Sequence, residues 1–439
     1  MDRTEVSYWG MPTDGDRKRV LILGAGAAGI SAALELKRAA RHIPGLNVTL
    51  VDQRDYHDPV PFSWQVISGS VEPGHVSFPL SAVLNERFGA GPIKFKQSRV
   101  ESIDVARKVV STDDEELQWD YLIVALGSTT NFFGTADAEK NSLTLKSVSD
   151  AVGIHNHILD SYEAALKEGN EQRRRELLTF VVVGGGPTGV ELTAAIQDFV
   201  GKALARKYPS LADQVRVILV EAQDALLSGT RAKMSQLAMD RLCSRSIEVL
   251  LKTRITKVWS GGVETAGGQT IPSHTVIWVA GVKPVTVVES LPFNKAKSGR
   301  IIVDQYLKVS ERPDVYVLGD CAYLSQEHGS VPYSPTHQVA ARQGPACARN
   351  IIRAIQGKEH LAFRYKFKGQ VVYVGRNVVL AYLGDWVFDG FAAALVRRLY
   401  YLWVFMSYLG LPTEFKRKLG AVSDWVPAYF YRRYTAHLH

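Results

Sequence analysis

Val20-Leu21-Ile22-Leu23-Gly24-Ala25-Gly26-Ala27-Ala28-Gly29 carries the strongest local signal in the chain. A short apolar run ends in glycine, as a buried parallel strand does. Ala27 to Arg41, rich in Ala and Leu, reads as the helix that follows. Val48 to Val51 is the next strand, closed by Asp52. In such a βαβ unit Gly24 permits the tight turn, Gly26 lets backbone approach a pyrophosphate, and Gly29 lets helix and strand pack closely. The helix N-terminus offers N–H donors and a positive dipole end to phosphate. The Asp52 carboxylate can accept from a ribose hydroxyl.

The pattern recurs further along the chain, Gly184 taking the place of Gly24. Phe180 to Val183 is the strand, Gly184-Gly185-Gly186-Pro187-Thr188-Gly189 the loop, and Pro187 to Lys207 the helix, with proline where a missing N–H costs little. Val215 to Val220 is the second strand, closed by Glu221. The longer helix sets Glu221 further beyond Gly189 than Asp52 lies beyond Gly29. A carboxylate there repels a 2′-phosphate, which favours NADH over NADPH. The blander reading is that Glu221 only ends a strand. The expected fold class is therefore α/β, with two Rossmann-like dinucleotide-binding domains and a C-terminal membrane-associating segment. Two nucleotide units suggest two nucleotides. A flavin with a nicotinamide is the natural pair, because hydride passes between stacked rings.

Composition narrows the field around these motifs. A chain of 439 residues, 46% hydrophobic and 22% charged, is long enough for about three domains. Collagen, disorder and small disulfide scaffolds are excluded. Cys243, Cys321 and Cys347 are far apart and form no CxxC, so no disulfide framework, zinc ribbon or dithiol centre is expected, nor any metal site. A reducing compartment follows. Met1 to Lys18 has no apolar run and is not read as a signal peptide. The longest late apolar run, Leu399 to Leu411, falls short of the roughly 20 residues that a spanning helix needs. The net charge of +8 points to an anionic partner. No helix-turn-helix, RNA-binding or zinc pattern favours nucleic acid.

Tyr121 to Leu126 followed by Gly127, and Val315-Tyr316-Val317-Leu318-Gly319-Asp320-Cys321-Ala322, resemble the two-dinucleotide-domain flavoproteins. By that resemblance Gly319 and Asp320 contact the ribityl and pyrophosphate region of FAD. Further stretches are similar to type II NADH:quinone oxidoreductases: Leu50 to His57 with Pro61 and Gln65 to Gly69, Glu191, Ser334 to Gly344, and Tyr365 to Gln370 with Val374 to Arg376. The resemblance covers nearly the whole chain. It implies an FAD set of Gly24, Gly26, Ala28, Gly29, Asp52, Gln53, Gly127, Gly319 and Asp320. The NADH set is Gly184, Gly186, Pro187, Thr188, Gly189, Glu221, Ala280 and Gly281. Glu191, Gln338 and Lys368 are the expected catalytic residues. Gln338 offers donor and acceptor to a quinone carbonyl or the flavin edge. Lys368 stabilises charge at the reduced flavin's carbonyl, unless it is an ordinary solvated surface lysine. Glu191 relays protons or orders the nicotinamide pocket, unless it is an ordinary helical acid.

The sequence departs from that family at His337 and Arg342, which flank Gln338 where Ala and a second Gln are usual. Phe62, Ser63 and Trp64 replace Leu-rich neighbours of the proline stretch. His337 reads as a surface histidine and His57 as a candidate only. Cys321 and Cys347 read as buried fillers. A sulfide-type quinone reductase needs a cysteine pair and is the alternative enzyme. A flavin-binding sensor or interaction protein is the alternative outside enzymes.

Trp386 to His439 changes character, with 14 of the 42 aromatics and seven Lys/Arg against three Asp/Glu. Arg397-Arg398, Lys416-Arg417-Lys418 and Arg432-Arg433 lie among the aromatics, a composition suited to an anionic membrane surface. A dimer interface or a core cap would use aromatics similarly. The expected domains are FAD-binding at 1–134 with 299–365, NADH-binding at 135–298, and a C-terminal domain at 366–439. The expected enzyme is a peripheral flavoprotein on the cytoplasmic face of a membrane or the equivalent organellar inner membrane. It passes electrons from NADH to a quinone without pumping protons, and a homodimer suits the family.

Overall fold

The computed structural model describes residues 17–84, 93–326, 331–366, 369–375, 379–383, 386–388, 415–430 and 435–438. In chain order the elements used below are β1 (Lys18–Leu23), α1 (Ala27–Ala40), β2 (Leu46–Asp52), β3 (Ile93–Gln97), β4 (Tyr121–Val124) and α2 (Val148–Lys167). Then come β5 (Thr179–Val183), α3 (Pro187–Asp198), β6 (Arg216–Val220), β7 (Ile247–Leu250), β8 (Thr275–Trp278), β9 (Arg312–Val317), α4 (His337–Ile355), β10 (Gly369–Tyr373) and α5 (Phe415–Phe430).

The chain divides into two compact units. The first comprises Met1–His57, Pro79–Ser128 and Pro284–Tyr365, and the second Asp58–Phe78, Thr129–Lys283 and Lys366–His439. The first unit is built on a parallel sheet in the order β9-β4-β1-β2-β3, edged by the antiparallel strand Lys308–Val309. Val20, Leu21, Ile22 and Leu23 are all buried, because helices and loops cover both faces of such a sheet. α1 buries Ala28, Ala32, Ala33 and Leu36, one stripe of the helix. Against it lies α4, close enough that a side chain on Gly344 would meet the Ala28 carbonyl oxygen at 2.3 Å. Glycine at 344 is what lets the two backbones approach.

The second unit repeats the plan with β8-β5-β6-β7 in parallel and Leu143–Thr144 beside β8. Val181 sits between Ile218 and Val276 in register. The helix expected at Pro187 to Lys207 is α3, then a π-helical segment at Phe199–Leu204 and a last turn at Ala205–Lys207. β10 pairs antiparallel with Val379–Leu383, which in turn pairs antiparallel with Trp386–Phe388. α5 meets the loop at Pro73–His75, where His75 Nδ1 lies 2.7 Å from Asp424 Oδ2. Residues 435–438 lie along α2: Asn156 both donates to the Leu438 carbonyl and accepts from its N–H, at 2.8 Å each.

No helix among the described residues is long and apolar enough to cross a membrane. The aromatic segment from Phe391 to Met406 lies outside the described residues. Of the bases Lys416-Arg417-Lys418, only Lys416 is exposed. Arg417 donates to the Gly74 and Ser77 carbonyls, and Lys418 is buried.

Candidate functional site

In the first unit the loop between β1 and α1 forms a cradle. Gly24 takes φ +97°, and a side chain there would lie 2.4 Å from the Ala125 carbonyl oxygen. A side chain at Gly29 would lie 1.8 Å from the Gly24 carbonyl oxygen, whereas one at Gly26 would meet nothing within 4 Å. Two glycines are thus excluded from substitution by the protein, and the third faces open space. α1 starts at Gly26 without a side-chain cap, so its first N–H groups are available to an anion. Asp52 holds the loop from below: its Oδ2 accepts from Ala25 N at 2.7 Å and its Oδ1 from Arg54 N at 2.9 Å. Each carboxylate oxygen retains capacity for a further donor, such as a ribose hydroxyl. Gln53 is exposed beside it, and Ala28 is buried under the loop.

The other end of this cradle is made by the turn after β9. Gly319 has φ +64°, with the Ala28 and Ala340 methyls 3.6 and 3.5 Å from where its side chain would begin. Its N–H donates to Gln343 Oε1 of α4 at 2.6 Å. Asp320 accepts from Ser128 Oγ at 2.6 Å, and the Cys321 thiol donates to the Gly127 carbonyl at 3.2 Å. Cys321 and Cys347 are fully buried. Burial pushes the Cys321 thiol up to about 12 and Cys347 well above its ordinary value, so neither is a thiolate at neutral pH. Cys243 is exposed in the second unit.

His337 opens α4 and is half-buried rather than a surface residue; burial lowers its pKa to about 4 against the raising effect of Asp320. Its neutral imidazole corrects the solvated reading from sequence. Gln338 follows and accepts from the Tyr365 hydroxyl at 2.9 Å, which leaves its amide nitrogen as the donor end to present. Arg342 is exposed.

The second unit builds the same device. Gly184 takes φ +116°, with the Ala280 Cα 2.5 Å from its would-be side chain, and Gly189 would meet the Gly184 oxygen at 1.7 Å. Gly186, the uncapped start of α3, again meets nothing within 4 Å. Pro187 and Thr188 lie in the first turn, where Thr188 is exposed. Glu221 Oε2 accepts from Gly185 N at 2.5 Å and Oε1 from Gln223 N at 2.7 Å, matching Asp52 bond for bond. The acid that closes each second strand therefore has a structural task beyond ending it. Ala280 is exposed, and Gly281 is half-buried with Phe133 2.6 Å from where its side chain would begin. On α3, half-buried Glu191 accepts the N–H of Tyr373 at 3.1 Å. Trp64 stacks on the Tyr373 ring at 4.1 Å, and the Tyr373 hydroxyl donates to buried Asp198, which also accepts from Arg245 at 2.6 Å.

Two open cradles, each with an uncapped helix and an acid beneath, are repeated in one chain. A sequence profile described as pyridine nucleotide-disulphide oxidoreductase matches residues 18–344, which include both. The chain belongs to this family. Among its relatives is the type II NADH:quinone oxidoreductase Ndh of Mycobacterium tuberculosis, 29% identical over 434 residues, 95% of this chain and 89% of that one. NDH2 from Plasmodium falciparum, solved in complex with NADH, superposes with TM-score 0.85 at 20% identity, covering 95% of this chain and 99% of that one. The sulfide:quinone oxidoreductase of Aquifex aeolicus has TM-score 0.70 at 19% identity, covering 96% and 98%.

For this pyridine nucleotide-disulphide oxidoreductase, sequence reasoning placed the glycines and acids in the loops where the structure has them. Lys368 lies outside the described residues. Reasoning from sequence missed Gln343, Ser128 and Tyr373. Gln343 was legible in principle, being a second amide on the helix that carries Gln338. Tyr373 was not, because its partner Glu191 is 182 residues away.

Proposed function

We propose that this oxidoreductase is a peripheral-membrane, FAD-dependent NADH:quinone oxidoreductase. FAD binds the first unit and NADH the second. The observation that carries the reading is the duplicated cradle, with open space at Gly26 and at Gly186 where a pyrophosphate would lie. When bound, FAD supplies a ring that takes hydride from NADH and passes two electrons to an acceptor. The chain's own residues bind, orient and balance charge. N–H groups at the start of α1 and α3 hold phosphates. Gly127, Gly319 and Asp320 line the far end of the flavin cradle. Asp320 stays fixed by Ser128. In the second unit the Glu221 charge disfavours a 2′-phosphate.

Glu191, held by the Tyr373 N–H, holds or moves a proton near the nicotinamide. The Gln338 amide nitrogen donates to an acceptor carbonyl while Tyr365 fixes the other end. Lys368 balances developing negative charge. The relatives named for quinone reduction support quinone as the acceptor. A thiol-based sulfide mechanism has no support, since Cys321 and Cys347 are buried and protonated.

The boundaries expected from sequence, FAD-binding at 1–134 with 299–365 and NADH-binding at 135–298, differ from the two compact units at 58–78, 129–134 and 284–298, and membrane contact belongs to 366–439. The protein sits on the cytoplasmic face of a membrane, or the equivalent organellar surface, as a homodimer. NADH consumption by the purified flavoprotein, measured with and without a soluble quinone, tests the activity. Turnover that requires quinone supports the reading, and turnover unaffected by quinone contradicts it.

A further inference from the structure

The residue between the first two glycines of each cradle is held at both ends of its backbone. In the first unit Ala25 N donates to Asp52, and the Ala25 carbonyl accepts from His57 Nδ1 at 2.7 Å. In the second unit Gly185 N donates to Glu221, and the Gly185 carbonyl accepts from the backbone N–H of Leu227 at 2.8 Å. The two cradles thus share one geometry, with an imidazole at one carbonyl and a main-chain amide at the other. Leu227 reaches its position with φ +53°, a left-handed backbone that leucine seldom adopts.

The consequence for the loop follows from peptide planarity. The Ala25 carbonyl and the Gly26 N–H belong to one trans peptide group and point in opposite directions. No cis peptide occurs among the described residues. Holding the carbonyl on the His57 side therefore turns the Gly26 N–H to the opposite side. Gly26 is the N-cap of α1, the end of the helix that faces a dinucleotide's phosphates in this fold.

The structure assigns His57 as a positioning residue for the first cradle: its Nδ1–H fixes the Ala25–Gly26 peptide so that the Gly26 N–H is presented to the FAD pyrophosphate. The assignment rests on reading the first unit as the FAD cradle. A carbonyl oxygen only accepts, so Nδ1 must carry the proton and the tautomer is fixed. His57 is 3% exposed, and burial lowers its pKa to about 3 while the Ala25 bond and the nearby Arg54 and His337 set the balance. The ring stays neutral at working pH, so it acts as a fixed donor.

FAD release from the holoenzyme tests this, followed as the rise of flavin fluorescence on dilution. His57→Phe keeps the bulk and loses the donor, and release should be roughly ten- to a hundredfold faster, the effect of an unpaired buried carbonyl. His57→Asn places an amide N–H near the Nδ1 position and should stay within about threefold of the parent. NADH affinity, a property of the second cradle, where Leu227 holds the matching carbonyl, should not change in either variant. Equal release from parent and His57→Phe, or equal acceleration in His57→Asn and His57→Phe, overturns the assignment. A parent chain that binds no FAD overturns the functional reading instead. Should His57→Phe not fold, nitrogen-15 NMR of the parent imidazole decides: a protonated Nδ1 supports the assignment, and an Nε2-protonated ring overturns it.

Discussion

At Gly186 an added side chain meets nothing, while at Gly189 it would collide with the Gly184 carbonyl 1.7 Å away. The two glycines therefore fail differently. Gly186→Val should leave the thermal midpoint and bound flavin unchanged and abolish flavin reduction by NADH, read as loss of bleaching on mixing. A variant that bleaches as fast as the parent removes NADH from the second cradle. Gly189→Ala should lower stability by about 1–3 kcal/mol through overpacking, read by denaturant unfolding. Glu221→Gln can accept only one of the two N–H bonds that Glu221 now takes. KM should therefore rise for both nucleotides, and less for NADPH than for NADH.

His57 gives a pH prediction. Its pKa falls from 6.5 to about 3 on folding, so between these values the unfolded chain binds a proton that the folded chain does not. Its contribution is fully present above pH 6.5 and is lost as pH falls, by at most about 1.4 kcal/mol per pH unit. On acidification from neutral pH the parent should lose more stability than His57→Asn, read by denaturant unfolding at each pH. Parallel losses contradict a neutral buried ring.

At the scale of elements, apolar runs located β1, β2, β5 and β6 to within a residue or two, because a strand buried on both faces reads as a continuous run. Leu143–Thr144 and Lys308–Val309 were not legible, since two residues show no period. The glycine that seats α4 on α1 was legible as a residue but not as a contact. Gly344 and its neighbours Ala28 and Ala32 lie near opposite ends of the matched region, where no local pattern links them. Gly344→Leu should loosen that helix pair and lower the unfolding midpoint, with flavin lost in parallel, as measured by thermal melts of absorbance at the flavin band. A melt equal to the parent's would contradict the close approach. The tail gives a separate case. Asn156→Ala removes both bonds to Leu438, so hydrogen exchange at the Leu438 amide should accelerate at least about tenfold while NADH-driven bleaching is unchanged. Unaltered exchange would mean that the tail is held by other contacts. Removing Trp386 to His439 would strip α2 of these partners as well as of any membrane anchor.

For the whole molecule, the repeat of the Gly24 motif at Gly184 was enough to read two nucleotide cradles, because glycine and acid spacing is local. What joins Gln343 to Gly319, or Tyr373 to Glu191, was not readable, because it depends on chain segments brought together only by folding. The charge reading narrows as well. Arg417 is half-buried on the Gly74 and Ser77 carbonyls and Lys418 is buried, so of that basic triplet only Lys416 is exposed. Co-sedimentation with anionic vesicles should weaken as salt rises from about 0.05 to about 0.5 M, the range over which exposed charges are screened. The central claim is tested most directly by anaerobic flavin absorbance of the purified yellow protein. Adding NADH should bleach the flavin band, and adding a soluble quinone should restore it. A band that NADH leaves unchanged, or that stays bleached after quinone, would contradict the account.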